Sequence, residues 1–160
     1  MTNLRNLYQE VILDHNKKPR NFGELEGANR HAHGDNPLCG DVYDIELIVD
    51  EDEETIDAVR FHGSGCAISK AAASMMTQHV EGKKVEEAEH LIEEFRAMLT
   101  GTIDEEGEEA LGHLRVFKGV ASRPERVKCA VLPWHTLHAA LEGKEEISTE
   151  GEHDPFKEED

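Results

Sequence analysis

Leu4, Leu7, Tyr8, Val11 and Ile12 recur at the i, i+3, i+4, i+7, i+8 spacing of an amphipathic helix, with Thr2 placed to cap it. That helix ends by Asn16, because Pro19 disfavours helical geometry in the residue before it. The stretch from Asn21 to Asp41, NFGELEGANRHAHGDNPLCGD, is rich in glycine and polar residues and shows no period. It reads as a loop, and loops of that length usually serve function or mobility. Tyr43, Ile45, Leu47 and Val49 then alternate with Asp44 and Glu46, the period of a half-buried strand. The acidic run from Asp50 to Glu54 makes a solvated turn, and residues 55–62 form a second strand through Ile56, Ala58 and Phe61. After Gly63-Ser64-Gly65-Cys66 the spacing turns helical: Ala67, Ile68, Ala71, Ala72, Met75, Met76 and Val80 make one stripe, ended by Gly82. A second helical stripe runs from Lys84 to Leu99. Residues 101–123 read as a connector holding a short helix, with apolar pieces at Leu111, Leu114 and Phe117. Pro124 suits the first turn of a last helix through Val127, Val131, Trp134, Leu137 and Leu141.

Two strands alone are marginal in water, so a third short strand and helical cover are expected. The order helix, strands, helices predicts an α+β domain, a small antiparallel sheet of about three strands with helices packed on one face. At 160 residues the chain makes one domain with a modest core.

Charge narrows the functional classes. The formal net charge of −18 repels phosphate backbones and anionic lipid, which argues against nucleic-acid and membrane-surface binding. No apolar run approaches the ~18 residues that span a bilayer, and MTNLRNLYQEVILDH lacks the apolar core of a signal peptide, so a cytoplasmic protein is expected. The acid is unevenly placed. Residues 1–33 hold Arg5, Lys17, Lys18, Arg20 and Arg30 against four acids, whereas residues 142–160 set nine acids against Lys144 and Lys157. The domain is therefore expected over residues 1–142, with 143–160 an acidic, disordered tail.

Three cysteines, Cys39, Cys66 and Cys129, lie far apart, which is no disulfide framework. Buried core thiols, a reactive thiol and a metal site all remain open. Cys66 opens a helix, where free N–H groups favour a thiolate, and Cys129 follows Arg126 and Lys128, which lower a thiol's pKa. In the metal reading, Cys39, Asp41, Cys66 and Cys129 are four ligands to one tetrahedral Zn²⁺, Gly40 lets Cys39 and Asp41 aim at one point, and Lys128, Arg126 and Arg123 offset the charge. Spacing alone carries this weakly, since the ligands come from three distant segments. His31-x-His33 is a competing metal pair, although ten histidines make chance pairs common. His135 and His138, one turn apart, read as satisfied or surface histidines, and no dinucleotide or P-loop motif is present.

LYQEVILDHNKKPRNFG (7–23), GDNPLCGD (34–41), GSGCAISKAAASMM (63–76), KKVEEA (83–88) and RVKCAVLPWHTL (126–137) together resemble the IscU-like, NifU N-terminal family of iron–sulfur cluster assembly proteins. Within it the chain is most similar to the SufU branch. Lys128 stands where scaffold members carry histidine, and residues 101–123 resemble that branch's extra segment. The resemblance implies an IscU/SufE-like fold and one zinc ion per chain on Cys39, Asp41, Cys66 and Cys129. It also implies sulfur transfer, with Cys39 accepting persulfide sulfur by zinc ligand exchange from a SufS-type cysteine desulfurase. Pyridoxal phosphate (PLP) belongs to that partner and not to this chain, and the SufBCD scaffold lies downstream. Lys17, Lys18, Arg20, Arg123 and Arg126 are candidates for a basic docking rim. Two other readings stay in view, an IscU-type scaffold building a 2Fe–2S cluster on the same cysteines and a structural zinc-binding interaction module.

Overall fold

The computed structural model describes residues 4–37, 40–143 and 146–148. Helix α1 (Leu4–Lys17) precedes strands β1 (Arg30–Asn36), β2 (Asp41–Val49) and β3 (Ile56–Ser64). Helices α2 (Ala67–Val80), α3 (Val85–Thr100) and α4 (Glu105–Leu111) follow, then a 3₁₀ helix (Gly112–Ser122), α5 (Pro124–Leu141) and a short strand β4 (Glu146–Ser148). The sheet order is β3-β2-β1-β4, antiparallel across its first three strands. Helices α2 and α5 lie on one face, α1 packs on α2, and α3 and the 3₁₀ helix pack behind α5. The α+β architecture, with helical cover on one face of a small antiparallel sheet, is the one expected from the sequence.

Alternation explains the core. Tyr43, Ile45, Leu47 and Val49 of β2 are buried beside Val59 and Phe61 of β3, and the helical stripes close over them. Phe95 of α3 stacks on Trp134 of α5 at 4.8 Å between ring centroids, with Phe117 against it at 5.6 Å.

Two expectations need correction. Residues 30–36 are not loop but strand β1, pairing with β2 from Arg30↔Leu47 to Asn36↔Asp41. Its inward positions are Ala32, Gly34 and Asn36, too small or too polar to mark a buried face. Smallness is required there, because α5 lies so close that a Cβ on Gly34 would stand 2.0 Å from Thr136 Oγ1 and 3.2 Å from Leu132 Cδ1. Second, the tail expected to lack structure from residue 143 contains β4, which runs parallel to β1 from His33↔Glu146 to Asp35↔Ser148. An open β1 edge presents backbone groups that a following segment can pair. The rest of that tail lies outside the described residues.

The connector expected at 101–123 holds α4 and, beyond it, eleven residues of 3₁₀ helix. Leu111, Leu114, Phe117 and Val120 fall every third residue and are all buried. Three residues per turn puts such a set on one side of a 3₁₀ helix, whereas in an α-helix it would drift around the axis.

The end of α1 is pinned to α2 by a buried histidine. Ser74 Oγ accepts from the Arg20 N–H at 2.8 Å, which leaves its own proton for His15 Nδ1 at 2.7 Å. Burial, with the Arg20 charge, holds His15 below its ordinary 6.5. His79, half-buried, is lowered too by desolvation. A histidine depressed in the folded state takes its proton more readily unfolded, so stability is full above about pH 6.5 and falls as pH drops through the folded values. Urea unfolding at pH 7.5 and 5.5 is expected to show lower stability at 5.5, with a shallower loss in His15→Gln. An unchanged slope in that variant would remove His15 from the account.

Candidate metal centre

Three elements meet at the end of the sheet where β1 turns into β2. Asp41 is the first residue of β2 and fully buried, Cys66 is the N-cap of α2, and Cys129 lies buried in the second turn of α5. One donor atom from each lies within 4.8 Å of the other two. Cys39, the fourth predicted ligand and the expected sulfur acceptor, falls outside the described residues. Gly40 beside it has φ +75°, the left-handed turn its neighbours needed, and its N–H donates to the Asn36 carbonyl at 2.8 Å.

The local chemistry locks the three donors. Asp41 Oδ1 accepts from the Cys66 backbone N–H at 2.8 Å, tying β2 to the start of α2. Cys66 Sγ in turn accepts from the Ser69 N–H at 3.5 Å, so the sulfur caps the helix. The residue before it must be glycine. A Cβ on Gly65 would come within 2.6 Å of Asp41 Oδ1, Tyr43 Oη and Ser69 Oγ together. On α5, Pro133 has no N–H to give the Cys129 carbonyl four residues back, which leaves that turn of helix open beside the pocket.

The two sulfurs lie close enough to shift each other's ionisation in opposite directions. A hydrogen bond from the Cys129 thiol draws Cys66 down to about 5 against the opposing effect of burial, with help from the Ser69 N–H and hydroxyl. Cys129, the donor, is pushed far up by that same bond and by its burial, with the charge on Cys66 and Asp41 adding to it. Two thiolates and a carboxylate this close repel one another, and a cation between them offsets that repulsion. The donor set fits zinc by its chemistry, two thiolates and a carboxylate whose donor atoms lie within 4.8 Å of one another.

Three neighbours of the site escaped the sequence reading. Asn36 is buried and directs Nδ2 to Asp41 Oδ2 at 3.4 Å and Cys129 Sγ at 3.7 Å. Ser69 Oγ lies 3.7 Å from Cys66 Sγ and 2.9 Å from Tyr43 Oη, whose pKa is raised by burial. The available signals were local: Ser69 is the third residue after a helix cap, and Tyr43 shares a strand face with Asp41.

Other predicted residues stand apart. His31 and His33 project from the opposite face of the sheet, and His138 is paired with Glu89 at 2.7 Å and Glu142 at 3.1 Å. Lys17 and Lys18 are exposed at the end of α1, and Arg20 is bonded to Asp14 at 2.7 Å. Arg123 is exposed at the start of α5, with Arg126 half-buried one turn on. Lys128 is half-buried and leaves α5 about 100° around from Cys129. Among the described residues no helix is long and apolar enough to cross a membrane.

Comparison with known proteins shows the family. The family model described as the NifU-like N terminal domain matches residues 7–149. The chain is 40% identical over 141 residues to an iron–sulfur cluster assembly scaffold protein IscU of Streptococcus pyogenes serotype M1, covering 88% of this chain and 86% of that protein. It is also 40% identical over 144 residues to the zinc-dependent sulfurtransferase SufU of Bacillus subtilis strain 168, covering 90% and 95%. A crystal structure from Fervidobacterium islandicum AW-1, described as a candidate cluster assembly scaffold for the SUF system, superposes with a TM-score of 0.78 at 35% identity, covering 87% of this chain and 99% of that one. The chain belongs to the NifU-like N-terminal domain family, that of the IscU- and SufU-type proteins of iron–sulfur cluster assembly.

Proposed function

We propose that the chain is a zinc-bound sulfur-transfer protein, accepting persulfide sulfur on Cys39 from a SufS-type cysteine desulfurase and relaying it toward the SufBCD scaffold. The observation that carries this reading is the donor set: Asp41, Cys66 and Cys129 converge, while the residue before Cys129 is Lys128, which offers no ligand. Zinc, when bound, keeps its thiolates deprotonated and subdues their nucleophilicity until one is exchanged. Cys66 and Cys129 are anchored on helices and Asp41 at a strand start, so they hold, and Cys39 is left to react.

In the transfer step the Cys39 thiolate attacks the outer sulfur of the desulfurase persulfide. A new S–S bond forms on Cys39, the desulfurase S–S bond breaks, and the desulfurase cysteine leaves as a thiolate. Lys17, Lys18, Arg20, Arg123 and Arg126 supply a basic rim for docking on an otherwise acidic chain, and Lys128 offsets the charge of the pocket. The name of the Bacillus subtilis relative supports the zinc and transfer elements.

The second reading, a scaffold assembling a 2Fe–2S cluster, is favoured by the name of the Streptococcus relative. Metal analysis of protein purified without added metal, paired with a desulfurase assay, tests the choice. Stoichiometric colourless zinc and desulfurase stimulation that vanishes in Cys39→Ala are expected. Stimulation intact in that variant, or a stable coloured cluster after anaerobic reconstitution, would overturn transfer.

A further inference from the structure

The solvent face of the sheet carries a second set of donors that the thiolate pocket does not use. Strand alternation places His31 and His33 of β1, Asp44 and Glu46 of β2, and Arg60 and His62 of β3 on that face. Register aligns them into two rows across the strands, His33–Asp44–His62 and His31–Glu46–Arg60. Asp44 is the hub. Its Oδ1 lies 2.8 Å from His31 Nε2 and 3.2 Å from His33 Nδ1, and its Oδ2 lies 3.9 Å from His62 Nδ1. His62 Nε2 also meets Glu46 Oε1 at 3.0 Å. Arg60, which would repel a cation, is drawn aside, with Nη1 on Asn21 Oδ1 at 3.0 Å, the Val59 carbonyl at 2.9 Å and Glu81 at 3.4 Å.

We propose that His31, His33 and Asp44, with His62 as fourth donor, form a second divalent transition-metal site on this face. Imidazole with carboxylate is the donor class of zinc, nickel and copper. Nitrogen and oxygen ligands around a tetrahedral ion with bonds of ~2.0–2.1 Å stand roughly 3.3 Å apart. The His33–Asp44 separation of 3.2 Å already matches, and the His31 contact of 2.8 Å opens by about half an ångström. As it stands, the histidines converge on Asp44 rather than on one another. No three of these donor atoms lie within 4.8 Å of one another as they stand, so binding turns all three imidazoles toward a common point, each presenting a lone pair in place of its N–H, a tautomer shift that releases no proton. The side chains of His31 and His33 are 49% and 38% exposed, so the ion exchanges freely with solution.

This site is independent of the sulfur-transfer reading, since it occupies the face of β2 opposite Asp41. Untagged protein carrying one equivalent of zinc is titrated with Ni²⁺ by equilibrium dialysis, with the histidine NMR signals followed in parallel. One further equivalent should bind, broadening the signals of His31, His33 and His62. Thiolate-to-nickel charge-transfer absorption should be absent, which distinguishes this face from the cysteine pocket. His31→Gln/His33→Gln should weaken that binding more than tenfold, and Asp44→Asn should do the same, a check if the double variant fails to fold. No further equivalent in the wild type, unchanged affinity in the variants, or broadening centred on other histidines would overturn the site.

Discussion

Asp41→Asn is expected to weaken zinc retention more than a hundredfold while leaving the ion-free protein as stable as before, or more so. The carboxylate is fully buried and sits beside the sulfur most ready to ionise. Without an ion its charge is repelled by Cys66, and the Cys66 N–H and Asn36 amide offset part of that. An asparagine oxygen still accepts from the Cys66 N–H, and Asn36 can flip its amide to suit, so the helix start stays in place. What is lost is an anionic ligand. Outer partners of metal ligands cost ~10–100-fold in affinity when removed, and a ligand itself costs more. Competition with a chelator gives the affinity, and calorimetry of chelator-treated protein gives the stability. Wild-type zinc affinity in the variant would remove Asp41 from the ligand set.

Gly34→Val is expected to destabilise the fold by about 3 kcal/mol, although valine is the better strand residue. The added side chain would drive into Thr136 Oγ1, which is held in place by its bond to the Leu132 carbonyl at 2.7 Å. Overpacking of that kind moves helix α5 off β1, and with it Cys129. At roughly 2–4 °C per kcal/mol for a domain of this size, the melting temperature falls by about 6–12 °C. Thr136→Ala in the same chain should return part of the loss, because it removes the nearest atom. Additive effects in the double-mutant cycle would mean the two residues do not meet as described.

These two sites also mark what could be read from residues in order. The helices at 4–17, 67–80, 85–100 and 124–141 were legible because their apolar stripes exceed three turns and carry end signals at Pro19, Gly82 and Pro124. Strand β1 was hidden. Its period is two, but Ala32, Gly34 and Asn36 on the inside and His31, His33 and Asp35 on the outside differ too little in hydropathy to show it. The 3₁₀ helix was hidden differently, since Leu111, Leu114, Phe117 and Val120 repeat every three residues, between the helical and strand periods usually sought.

Sequence by itself determined the α+β class, the two long strands, the main helices and the cysteine-bearing segments, all local properties of period, turn chemistry and motif. That Asp41, Cys66 and Cys129 share one pocket, that Asn36 and Ser69 support it, and that three histidines crown Asp44 on the far face were decided only by tertiary structure. Contacts between residues 25 to 93 positions apart depend on strand register and helix packing, and no local spacing encodes either.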